Sequence, residues 1–378
     1  MGGFECSTHI NHARRRIDVI AATNHDRLAE RDYRRLLDIG INTARDGVRW
    51  HLIEREPYRY DFSSVLEQVR AARKTGIQII WDLFHYGYPA GIDLTAAEFV
   101  ERFASFSEAF VNFLLAEGET NIFICPLNET SFFAWMAGDV GGFYPFLRRR
   151  GEQIKRNLIR AEIAATLAIK NVCPQARLIH TDPAINITSA EKTLPKMQSA
   201  KRRGNAQFHA LDMLCGRRRP ELGGKPEYLD IIGLNYYFNN QWRYQSGRRV
   251  FRGHPEYRPF HSILLEYFNR YRRPILIAET GIENEARPEW FRYICEEVEI
   301  AESLGVQIEG ICLYPILNHP GWDDDRHCHN GLWDYADESG NREIYEPLAE
   351  EVRRQITLQN EKKRSIQNIP LRVKAAGA

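Results

Sequence analysis

Two short apolar runs in this chain each end in a glutamate: Asn121-Ile-Phe-Ile-Cys-Pro-Leu-Asn128-Glu129 and Pro274-Ile-Leu-Ile-Ala-Glu279-Thr-Gly281. A parallel strand buried on both faces reads as a continuous apolar run, and in a parallel barrel the polar groups at its C-terminal end belong to the active-site face. One such glutamate alone is equally well explained as a satisfied polar residue at a strand end. Two on different strands point to an acid–nucleophile carboxylate pair, the equipment for cutting a glycosidic bond with retention of configuration.

The rest of the chain supplies elements to hold such a pair. Strand candidates are Gly2–Thr8, Ile41–Trp50, Ile77–Tyr86, Asn121–Asn128, Ala176–Thr181, Leu229–Tyr237, Pro274–Glu279 and Ile308–Pro315. Helical periodicity separates them over Asp26–Ile39, Ser63–Lys74, Ala96–Ala116, Gln153–Val172, Leu194–Leu214, His261–Arg270, Pro288–Leu304 and Ile344–Ile356. Gly40, Gly76 and Gly305 fall where helices should close before the next strand. Strict alternation predicts parallel strands, and eight units predict an α/β fold of the (β/α)8 TIM-barrel type. The expected organisation is one barrel over 1–357, with a poorly ordered polar tail over 358–378. Long loops over Thr130–Arg150, Phe238–Phe260 and Asn318–Asp337 leave C-terminal strand ends and should wall one cleft.

Bulk properties narrow the function. The 378 residues carry a formal charge of +1, with 43% hydrophobic and 27% charged residues. That balance argues against a nucleic-acid or membrane-surface partner, and the local Arg/Lys clusters read as solvated surface. Seven cysteines with no CxxC pair suggest neither a disulfide framework nor a zinc site, so no metal and no cofactor are expected. The N-terminus carries no secretory pattern, which predicts a cytoplasmic protein. No lysine sits at a strand end and no Gly-rich phosphate loop follows the last strands, which argues against an aldolase or isomerase barrel.

The strand ends together resemble glycoside hydrolase family 1, the β-glucosidase-like branch of the clan A barrels. The segments are Arg45-Asp-Gly-Val-Arg-Trp50, Leu83-Phe-His85-Tyr86-Gly-Tyr-Pro89, Pro126-Leu-Asn128-Glu129-Thr130, Ile232-Gly-Leu-Asn235-Tyr236-Tyr237 and Ile277-Ala-Glu279-Thr280-Gly281. The resemblance implies a retaining β-glycosidase that acts by double displacement through a covalent glycosyl-enzyme on a small carbohydrate or glycoside. It implies Glu129 as acid/base, Glu279 as nucleophile, and Arg45 and Tyr237 as the groups supporting the nucleophile. Substrate contacts implied in the same way are His85, Asn128, Asn235, Tyr86, Tyr314, Trp322 and His319. The alternative is a barrel of the same descent that binds carbohydrate without cutting it.

The resemblance weakens near the C-terminus. The family's sugar-gripping glutamate falls on Gly321, and its first tryptophan falls on Tyr314. No glutamine stands near the N-terminus where the family has a hydroxyl contact, and His9 or Asn11 is the expected substitute. The space at Gly321 is expected to be filled by Trp322, His319 or a residue of the Phe238–Phe260 loop, or to stay open. The run Asp323-Asp-Asp-Arg-His327-Cys-His329 reads as polar sugar contacts rather than a metal site.

Overall fold

The structure, a computed structural model, describes residues 1–367, without the side chains of residues 363 and 365–367. Eight parallel strands close a barrel: β1 (Gly2–Gly3), β2 (Thr43–Gly47), β3 (Gln78–Asp82), β4 (Phe123–Cys125), β5 (Arg177–Pro183), β6 (Ile231–Asn235), β7 (Ile275–Thr280) and β8 (Ile308–Leu313). They pair in chain order, and β1 meets β8 to complete the ring. A helix follows each strand: α1 (His25–Asp38), α2 (Ser63–Thr75), α3 (Ala97–Ala116), α4 (Gly151–Val172), α5 (Leu194–Gly204), α6 (Phe260–Tyr271), α7 (Arg287–Ser303) and α8 (Glu346–Gln367). The fold is a (β/α)8 TIM barrel. The polar tail expected from 358 overlaps the end of α8, and its residues 368–378 lie outside the described residues. Among the described residues, no helix is long and apolar enough to cross a membrane.

Alternation along the strands separates two apolar layers. Ile80, Cys125, Ile179, Ile231, Leu276 and Ala278 fill the barrel interior, and a much larger cluster lies between barrel and helices. On α3, Phe99, Phe103, Phe106 and Phe110 recur at helical spacing and are wholly buried. The first three pack on Trp50, and Phe99 and Phe103 on Phe84 as well, which ties α3 to the segments after β2 and β3. Gly76 closes α2 at φ +76°, a left-handed conformation that glycine adopts without cost, and its N–H bonds the carbonyl of Ala72.

Two local irregularities aim side chains into the barrel mouth. Across β6 and β7 the register passes from Leu234↔Ile277 to Asn235↔Glu279, so Ala278 has no partner on β6. This bulge breaks the two-residue alternation. Ala278 lies in the barrel interior, and Glu279 directly after it reaches Arg45 in the same interior. On the other wall, Glu129 adopts φ +48° and Tyr86 φ +69°, and the two side chains bond each other. Left-handed backbone in a non-glycine residue costs about 1–2 kcal/mol, and such strain gathers at functional sites.

Candidate active site

Glu279 is held at both oxygens. Oε1 accepts from Arg45 Nη1 at 2.6 Å, and Oε2 accepts from the Tyr237 hydroxyl at 2.9 Å. Burial first, and then the negative charge of Glu279, hold the Tyr237 phenol well above its usual range, so it stays a donor. Arg45 is 1% exposed and spends its other fork nitrogen on Asp82 at 2.6 Å and Asn128 at 2.7 Å. A fully desolvated guanidinium needs such partners, because a buried unpaired charge costs several kcal/mol. Asp82 reaches it because β2 and β3 pair Gly47 with Asp82, two residues beyond Arg45 and Ile80 on the same face.

Glu129 has different surroundings. Tyr86 donates to its Oε2 at 2.6 Å and Asn235 to its Oε1 at 3.0 Å, and among the described residues no cation touches it. Burial is the largest influence on its carboxyl and the neighbouring negative Glu279 the next, and together they push it up to about 8. At neutral pH Glu129 therefore keeps its proton. One buried carboxylate held by a cation and a phenol donor, beside one kept neutral, is the division of labour that separates a nucleophile from a general acid.

Asn128 links the two halves. Its Oδ1 accepts from Arg45, from the Thr181 hydroxyl at 3.0 Å and from Asn235 at 3.2 Å. That fixes the amide, so its nitrogen faces His85 Nε2 at 3.1 Å and the Tyr86 hydroxyl at 3.0 Å. His85 Nδ1 faces Asp82 at 2.9 Å, and although burial opposes the ring's charge, Cys6 and Asp82 hold it well above its usual range. Cys6, Asp82 and His85 also have the donor types of a metal site, with ligand atoms within 4.8 Å of one another. Arg45 already occupies the cation's place against Asp82. Burial pushes the Cys6 thiol up to about 12, so it is no thiolate at neutral pH.

No protein-family model matches the sequence, and no curated protein matches it. Solved structures do match. Beta-glucosidase from Thermotoga maritima in complex with glucoimidazole superposes with a TM-score of 0.74 at 15% identity, over 89% of this chain and 88% of that one. A family 1 β-glucosidase from the same organism gives 0.72 at 15% identity, over 89% and 87%. A hyperthermophilic β-glucosidase mutant that forms a dodecamer in the crystal gives 0.72 at 17% identity, over 87% and 88%. The fold is that of the family 1 β-glucosidases.

Within this β-glucosidase fold the remaining residues singled out in the sequence take definite places. Tyr314 is 1% exposed, with Arg45 over its ring at 5.4 Å. It fits only because position 3 is glycine, where a Cβ would lie 2.1 Å from the Tyr314 ring. Trp322 packs edge-on against His9 and Tyr86, and its indole N–H is buried without a partner among the described residues. His319 bonds the Pro320 carbonyl and Asn330. Asn11 supports this wall from below by donating to the Trp322 carbonyl at 2.8 Å.

The space beside Gly321 departs from the sequence expectation. Asp324 takes it, since a Cβ at 321 would lie 2.2 Å from Asp324 Oδ1. The loop doubles back through the pairing of His319–Pro320 with His327–Cys328, a turn too irregular to read from residue types. His327 and His329 are exposed and stack on each other at 4.3 Å, and His327 pairs with Asp334 at 2.7 Å.

Glu5, Asp82, Thr181 and Asp182 escaped the sequence reading. Asp82 and Asp182 obey the same rule as the glutamates, a carboxylate closing an apolar strand, and that signal could have found them.

Proposed function

We propose that this protein is a retaining β-glycosidase, with Glu279 as nucleophile and Glu129 as acid and then base. The observation that carries this reading is the contrast between the two carboxylates: Glu279 bound by Arg45 and Tyr237, Glu129 buried without a cation and pushed up to about 8. In the first step the Glu279 carboxylate attacks the anomeric carbon. The bond to the leaving oxygen breaks, and Glu129 gives that oxygen its proton. The glycosyl-enzyme ester removes the negative charge of Glu279, and with it the largest cause after burial that holds Glu129 protonated. Glu129 then takes a proton from water as the water attacks the same carbon. In this reading Asn128, bonded to Arg45 and Tyr86, and Asn235, bonded to Asn128 and Glu129, meet the sugar beside the reacting bond.

The test is the Glu129→Ala variant with azide and an activated aryl β-glycoside. A small anion attacks the glycosyl-enzyme without base help, so azide should restore turnover and yield the β-glycosyl azide. An α-azide product, or no turnover of any aryl β-glycoside by the unaltered protein, contradicts the proposal. In the latter case, binding of glycosides without cleavage would favour the non-catalytic alternative.

A further inference from the structure

Beyond the catalytic pair and Asp82, Glu5 is a further buried carboxylate at the barrel mouth, two residues past the end of β1, and double displacement gives it no task. Its Oε1 accepts from the Ser7 N–H at 2.9 Å and from the Ser7 hydroxyl, and lies 3.8 Å from His85 Nε2. Its Oε2 has no hydrogen-bond partner among the described residues. Burial opposes its charge, and His85, His319 and the Ser7 donors outweigh that, so the carboxyl stays below its usual range and is ionised.

The wall next to Glu5 also holds unmatched groups. His9 is 1% exposed, and both of its ring nitrogens lack partners among the described residues. Burial pushes it down to about 3, so it is a neutral imidazole with one donor and one acceptor. The partnerless indole N–H of Trp322 sits beside it, with ring centroids 5.1 Å apart. A buried polar atom left unpaired costs about 1–3 kcal/mol, so a cluster of them in a functional cleft calls for a ligand that pairs them. Adjacent sugar hydroxyls, each donor and acceptor at once, match an anion, an imidazole and an indole side by side.

The barrel order sets the direction. β1 lies between β8 and β2, three strands round the ring from β4, which delivers Glu129, and two from β7, which delivers Glu279. A pyranose with its anomeric carbon between Glu129 and Glu279, and its near edge on Asn128, turns its remote hydroxyls toward β1. Gly321 and Asp324 do not serve this purpose, because the Asp324 side chain is 61% exposed and faces Arg326. We infer that Glu5 accepts hydrogen bonds from hydroxyls on the side of the glycone remote from the reacting carbon, and that it selects an uncharged glycone over a phosphorylated one. This inference rests on the glycosidase reading for the orientation of the sugar. The preference for an uncharged sugar follows from the buried Glu5 carboxylate, which would meet a phosphate on those hydroxyls with like charge.

Binding measured apart from turnover tests it. In the Glu279→Gln background, calorimetry gives Kd for 4-nitrophenyl β-glucoside and β-galactoside, their 3-, 4- and 6-deoxy forms, and the glucoside 6-phosphate. The kcat/KM values of Glu5→Gln on the same panel give the parallel comparison in the active protein. Adding Glu5→Gln should weaken the best neutral glycoside by about tenfold or more, the scale of one charged hydrogen bond. The deoxy form lacking the hydroxyl that Glu5 accepts should lose less than about twofold, because its partner is already gone. A merely structural Glu5 would lower Tm and weaken every glycoside alike. If Glu5→Gln does not fold, Glu5→Asp, which withdraws the carboxylate by one methylene, is measured in the same cycle. Equal affinities with and without Glu5, uniform weakening, or preference for the 6-phosphate overturns the inference. Glu5-dependent binding without hydrolysis by the unaltered protein would remove the glycosidase reading and leave Glu5 its role; no glycoside binding at all overturns both.

Discussion

Replacing Tyr86 by Phe should move the alkaline limb of the activity profile upward. The Tyr86 hydroxyl is 2.6 Å from Glu129 Oε2, and as a donor it favours the ionised form of that carboxyl. The ring would stay, held nearly parallel to Phe133 at 5.8 Å, so the substitution removes little beyond the hydroxyl. A hydrogen bond to a charged group contributes about 1.5–3 kcal/mol, and one pH unit corresponds to about 1.36 kcal/mol. Loss of the bond should therefore raise Glu129 from about 8 by roughly one to two units. The assay is kcat/KM against pH on an activated aryl β-glycoside, because that ratio reports the free enzyme. Activity at pH 7 should change little through protonation, since the acid is already protonated there. An alkaline limb that stays in place or moves downward would refute the assignment of that limb to Glu129 and its bond to Tyr86.

Asp182 gives the opposite shift. Its Oδ1 accepts the Ser131 N–H at 2.9 Å, just past Glu129, and its negative charge helps keep Glu129 protonated. Asp182→Asn keeps an acceptor and removes the charge, so the same limb should fall by less than about one unit; an unchanged or raised limb contradicts this. A separate prediction concerns stability. His25, the first residue of α1, is buried between Asp32 of the same helix and Asp46 of β2, at 2.8 and 2.9 Å. Burial opposes its charge, but the two carboxylates outweigh it and raise His25 to about 9. Its unfolded value is about 6.5, so the raised group contributes on the order of 3 kcal/mol that is fully present below about pH 6.5 and lost as pH rises through 9. Tm should fall between pH 6.5 and 9.5, and that slope should flatten in His25→Ala; a wild-type Tm that holds or rises across this window contradicts the charged network.

The strands were legible because a barrel strand is buried on both faces and needs no partner to be recognised in sequence. Glu129, Glu279 and Asn235 stand out for the same reason, as polar residues closing apolar runs. What the residues alone do not reveal is which neighbours a closed sheet brings together. Arg45 meets Asp82 only through the β2–β3 register, and Glu279 turns inward only because of a bulge that its apolar run does not announce. Glu5 escaped because β1 is two residues long and its segment, Gly2-Gly3-Phe4, lacks the apolar run that marks the other strands. The turn that lays Asp324 beside Gly321 depends on a short antiparallel pairing with no residue signature.

The most direct measurement is to trap the intermediate. A 2-deoxy-2-fluoro derivative of the neutral aryl β-glycoside turned over fastest slows release of the glycosyl-enzyme, and mass spectrometry of the digested protein locates the sugar. One glycosyl unit is expected on the peptide carrying Ile275–Thr280, attached to Glu279, with Glu129 unmodified and inactivation tracking the label. Turnover without any trapped sugar, or a label on Glu129, would contradict the double displacement assigned to this site.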